Sequence, residues 1–185
     1  MAPARKIALR CRAPLLETAR TILGARIEDV EDRRAAITGP TNPEALHALR
    51  IAAKRLRYSL ETFDVCFPGN DALIAADRVR ALQDILGRIH DLDVLDGLLV
   101  DRLALMDDES RRPALEVART PADDESRRRL LTDIVSGRDA SARLGLLLII
   151  AAKADERRMH YAQFETLWQE WETAGFLGGI QQRLS

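Results

Sequence analysis

Apolar residues recur along this chain at spacings of three and four, and almost nowhere in alternation. Leu82, Ile85, Leu86, Ile89, Leu92 and Leu95 form one such stripe. A helix turns about 100° per residue, so this spacing gathers side chains on one face, whereas a half-buried strand needs period two. No alternating run bounded by glycine-rich hairpin turns interrupts the pattern. The chain is therefore expected to be all-α: an antiparallel bundle of four main long helices plus short helices, in a single domain over residues 1–185.

Local punctuation sets the expected boundaries. A long first helix is expected over residues 4–37, with Ile7, Leu15, Ile22 and Ile27 among its apolar positions. Gly39, Pro40 and Pro43 break it, after which Asn42 suits an N-cap, Pro43 the first helical position and Glu44 the positive helix end. That second helix runs to about Cys66, where Pro68, Gly69, Asn70 and Asp71 stop it. A third helix is expected from about Ala72 to Leu105. Residues 106–126, acidic and carrying Pro113 and Pro121, read as a connector with room for one short helix. A short helix at 125–136 then precedes a long one from about Asp139 to Thr173, whose end Gly175, Gly178 and Gly179 loosen.

The net charge of −1 argues against general affinity for nucleic acid. It hides an asymmetry. Residues 1–60 hold 12 Lys and Arg against 6 Asp and Glu, while residues 61–135 hold 10 against 17. Cys11 and Cys66 make neither a disulfide framework nor a metal-ligand spacing. The longest apolar run, Leu144 to Ala152, is too short to span a bilayer, and no secretory leader pattern is visible. A reduced, cytoplasmic setting without membrane contact is the expectation.

Basic character concentrates on the second helix. His47, Arg50, Lys54, Arg57, Tyr58 and Glu61 fall within an arc of about 100°, beside a core-facing arc of Leu46, Leu49, Ala53, Leu56, Leu60 and Phe63. Like charges stacked at helical spacing cost roughly 0.2–0.5 kcal/mol per pair, and Glu61 relieves only part of this. The stripe is either a solvated face or a seat for a polyanion that neutralises it. A second constellation runs from Leu86 through Gly87, Arg88, Ile89, His90, Asp91, Leu92, Asp93 and Val94. Asp91 or Asp93 is suited to hold a cation of the stripe in position. Lys153 and Arg157, one turn apart on the last long helix, either extend a basic groove or are ordinary surface residues. Tyr161, Phe164, Trp168 and Trp171 read as core anchors.

Catalytic patterns are scarce. There is no P-loop, dinucleotide-binding turn or nucleophile elbow, and neither cysteine has a histidine nearby in sequence. His90 followed by Asp91 invites comparison with His-Asp metal phosphohydrolases, but three histidines in the whole chain are a thin ligand set. No catalytic residue, metal ligand or cofactor is assigned.

The two constellations together resemble the CHAD family, the conserved-histidine α-helical domain. The resemblance rests on His47-Ala-Leu-Arg50, on Lys54-Arg55-Leu-Arg57-Tyr58, and on Leu86-Gly87 followed by Asp91-Leu-Asp93-Val94. It covers about residues 44–100. It implies a helical module that binds inorganic polyphosphate without catalysis, with His47, Arg50, Lys54, Arg55 and Arg57 as the binding set and Arg88 as a weaker member. Lys153 and Arg157 are added as an extension, and Tyr58, Asp91 and Asp93 as supports. The family usually carries two histidine-helix repeats, and this chain has one, so two chains are expected to pair as an isologous homodimer. Association with polyphosphate granules follows from the same resemblance. Two alternatives stand beside it: a protein-interaction module that docks a basic partner on the acidic 91–125 region, and the His-Asp phosphohydrolase.

Overall fold

The computed structural model describes residues 6–8, 10, 12–106, 111–135 and 139–184. Every regular element among them is helical: α1 (Leu15–Ala35), α2 (Pro43–Thr62), a 3-10 turn (Asp64–Cys66), α3 (Asp71–Ala104), α4 (Arg111–Arg119), α5 (Asp124–Ile134), α6 (Ala140–Thr173) and α7 (Phe176–Gln182). The all-α expectation holds. Residues divide into two compact units, the first formed by 1–87 and 161–185, the second by 88–160.

In the first unit α1 packs along α2, and α7 lies against α1. Ala19, Leu23, Ile27 and Val30 of α1 are buried, as are Leu46, Leu49, Ala53, Leu56 and Leu60 of α2. The α2 side is the core-facing arc that the spacing predicts. Asn42 caps α2 as expected, its Oδ1 accepting from the Ala45 N–H at 3.0 Å. Phe164, Trp168 and Trp171 are buried, so the aromatic run of α6 anchors this core.

Three boundaries differ from expectation. α2 ends at Thr62, and the separate 3-10 turn carries the chain to Cys66. α1 begins at Leu15 rather than near residue 4, and Ile7 is not helical. Pro14, at the cap position with φ −54° and ψ 146°, is extended, and its ring disfavours helix in the residue before it. Residues 4, 5, 9 and 11 of the expected span, Cys11 included, lie outside the described residues. After α6, where only a loosened end was expected, Gly175 turns the chain at φ 59° and α7 follows. Phe176, Leu177 and Ile180 of α7 are buried, and this burial outweighs the poor helix propensity of Gly178 and Gly179.

The second unit has its own core of Leu103, Ala114, Ala118, Leu131, Val135, Leu147, Ile150 and Ala151. α4 fills the connector and tolerates Pro113 because it falls in the first helical turn. Asp123 caps α5, its carboxylate accepting from the Ser126 N–H at 2.8 Å. Arg127, 1% exposed, donates to Asp155 at 2.9 and 3.3 Å and to the Thr120 carbonyl at 3.3 Å.

Candidate functional site

The basic stripe of α2 forms as a continuous helical face, and its members meet different neighbours. Arg57 is held on both sides. Its Nε donates to Gln83 Oε1 of α3 at 3.1 Å, and its Nη1 donates to Glu61 at 2.6 Å. Arg80 shares the same Glu61 oxygen at 3.4 Å. Tyr58, 46% exposed, presents its ring to two cations: the Arg57 guanidinium lies 4.4 Å from the ring centroid and the Lys54 ammonium 5.7 Å. A ring quadrupole attracts cations without neutralising them, so Tyr58 draws Lys54 toward Arg57 and leaves the Lys54 charge available, while that of Arg57 is already met by Glu61.

Arg50 is placed differently. Its Nε lies 3.7 Å from the point a Cβ on Gly87 would occupy. The guanidinium thus reaches across to α3 where α3 lacks a side chain. Arg50 and Lys54 have no carboxylate partner among the described residues. The pairings Arg57 with Gln83 and Arg50 with Gly87 run in opposite directions along the two helices, so α2 and this part of α3 are antiparallel. His47 is half-buried one turn before Arg50.

Arg55 points to the other border of the core face, toward α1. There its Nη1 lies 3.8 Å from Asp29, whose 3% exposed carboxylate also accepts from Arg33 Nε at 3.3 Å. The structure therefore brings His47, Arg50, Lys54, Arg57 and Tyr58 onto one face and sets Arg55 apart, against a carboxylate.

The other sequence candidates belong to the second unit. Asp93 accepts from Arg157 Nε at 2.5 Å, so the cation it holds is one of α6. Lys153 donates to Glu156 at 2.7 Å. That bond is the chief cause holding the Glu156 carboxyl below its ordinary value, with the charges of Lys153, His160 and Arg88 adding to it and burial opposing. Arg88 and Asp91 are exposed, and the helical spacing of Asp84, Arg88 and Asp91 produces no ion pair among the described residues. Among the described residues no group of three or more His, Cys, Asp and Glu is placed to hold a metal ion.

Sequence reasoning missed Asp29, Gln83 and the spatial role of Gly87. Gln83 and Gly87 are one turn apart on α3, a spacing visible in the chain. Their partners across α2 depend on helix register, which the sequence does not print.

Chemically, the face offers a planar guanidinium, an ammonium over a ring and an imidazole in a row, with acidic balance only at its Glu61 end. Such a row fits an extended anion with several oxygens better than a single small one. Among the described residues, no helix is long and apolar enough to cross a membrane. A family model described as CHAD domain matches residues 2–100. No curated protein and no solved structure matches the chain.

Proposed function

The chain belongs to the CHAD family, and from that premise we propose that it binds inorganic polyphosphate without catalysis, along the stripe of α2. The observation that carries this reading is the pair Arg50 and Lys54, two cations one turn apart without carboxylate partners among the described residues. A linear chain of phosphates lying along α2 supplies the missing negative charge to both. Arg57, tethered to Glu61 and Gln83, fixes the edge of the seat, and His47 adds a hydrogen bond or a charge. Arg55 stands as a member implied by the family resemblance.

The same reading places the protein in the cytoplasm, in association with polyphosphate granules. It also pairs two chains as an isologous dimer, which would bring two histidine helices into one assembly. Light scattering with and without polyphosphate tests the pairing; a monomer at high concentration in both conditions refutes it. Binding itself is tested by titrating long-chain polyphosphate and orthophosphate in parallel. Saturable binding of the polymer at concentrations where orthophosphate is inert is the expected result. Equal affinity for both would mean that no linear seat exists.

A second reading, a protein-interaction module, is favoured by one surface of the second unit. Val94 and Leu98 of α3 and the following Leu105 are exposed along one line, with Asp91 and Asp101 among them. Reversing Asp91 and Asp101 to Lys separates the readings: loss of a basic partner with polyphosphate binding intact supports this second one.

A further inference from the structure

Within the first unit, the end of α1, the last turns of α6 and the start of α7 line an open cavity of about 510 Å³. Both tryptophans of the chain, Trp168 and Trp171, line it. Trp171 packs between Trp168 and Phe176, with ring centroids 5.7 and 4.5 Å away. The volume falls in the range of about 300–1,000 Å³ common to small-molecule sites.

The charges around this aromatic wall do not balance. Glu31 and Glu172 both line the cavity. Glu172 accepts from Trp168 Nε1 at 2.7 Å, which fixes its carboxylate beside the ring without neutralising it. Neither glutamate forms an ion pair among the described residues. Arg34 also lines the cavity, but its charge is already answered: Nη2 donates to Glu165 at 2.8 Å, and the guanidinium lies 5.2 and 5.6 Å from the Phe164 and Trp168 ring centroids. Arg78 of α3 stacks on Phe176, 4.7 Å from its ring centroid, but does not line the cavity. What remains in the lining itself is negative charge beside electron-rich aromatic faces.

The geometry points to a binding site for a small organic cation with an apolar body and an ammonium head. The body packs on Trp171 and Phe176, and the head meets Glu31 and Glu172. An anion of the same shape would meet two uncompensated carboxylates. This site uses none of the α2 stripe and does not depend on the polyphosphate reading.

Because the two tryptophans sit in the wall, the full-length chain reports on its own occupancy. Benzyltrimethylammonium is titrated while tryptophan fluorescence is followed, with benzenesulfonate as the anionic counterpart. The double substitution Glu31→Gln/Glu172→Gln keeps size and leaves an acceptor for Trp168 Nε1; circular dichroism confirms that it folds. The expected result is saturable binding of the cation, weakened about tenfold in the double variant by the loss of two charge contacts, and no saturation with benzenesulfonate. Absence of saturation, equal affinity in the two proteins, or an equal response to benzenesulfonate would overturn the assignment. So would saturation by an oligolysine peptide but not by the small cation, which would make the cavity a peptide groove.

Discussion

Arg50 crosses from α2 to the one position on the facing turn of α3 that has no side chain, its Nε 3.7 Å from where a Gly87 Cβ would sit. This contact joins the two stretches that most clearly mark the sequence, the His47–Arg50 turn and the Leu86–Gly87 step.

Substitutions at Gly87 should separate space from fold. A methyl at 3.7 Å is in ordinary contact, so Gly87→Ala keeps Arg50 in place. Replacing a helical glycine by alanine gains about 0.8–1 kcal/mol, or roughly 2–4 °C in a chain of this size. Gly87→Leu instead displaces the guanidinium and weakens polyphosphate binding while the helices persist. Thermal melts with parallel titrations check both; unchanged affinity in the leucine variant would detach Gly87 from the site.

His47 stands on the same face, half-buried one turn before Arg50. If it contacts the polyanion, His47→Ala should weaken polyphosphate binding about tenfold, as for a lost hydrogen bond to a charged group, with helicity unchanged by circular dichroism. Unchanged affinity would make His47 structural.

Asp123 should give α5 a response to acid. Its carboxyl is held below the ordinary 3.8, first by the Ser126 backbone N–H and then by the Ser126 side chain. A lowered folded value means that the stabilisation is present above pH 3.8 and is lost as pH falls through the lower folded value. Asp123→Asn keeps a good cap and removes this acid-dependent step, whereas Asp123→Ala loses the cap at every pH. Circular dichroism across pH 2–5 distinguishes them.

Arg127 should matter to stability far more than to binding. Its substitution by Ala strips a buried guanidinium from Asp155 and from the Thr120 carbonyl. Because Asp155 is partly exposed and keeps some hydration, the loss is about 2–3 kcal/mol, at or below the lower end for a broken buried pair. Urea unfolding measures it, and polyphosphate affinity under native conditions should be unchanged.

What the sequence makes legible here is what is local. The Asn42 cap, the core arc of α2 and the basic stripe beside it depend on residues within a turn or two of each other, and each forms as the spacing predicts. Pro14 outweighs the apolar spacing that carried the expected first helix back to residue 4. α7 escapes notice because Gly178 and Gly179 look like a fraying end until Phe176, Leu177 and Ile180 are seen to be buried. The partners Gln83 for Arg57 and Asp29 for Arg55 are set by packing between helices. A charged residue such as Asp29 gives no local sign that it will be buried.

The central claim is that Arg50 and Lys54 await a polyanion. The direct measurement is titration of long-chain polyphosphate against wild type and Arg50→Ala/Lys54→Ala at two salt concentrations. The account predicts salt-sensitive binding by wild type, since each contact releases counterions as in nucleic-acid complexes. It also predicts a large loss of affinity and a shallower salt slope in the double variant, with helicity unchanged. Equal affinity and equal slope in the two proteins would contradict it.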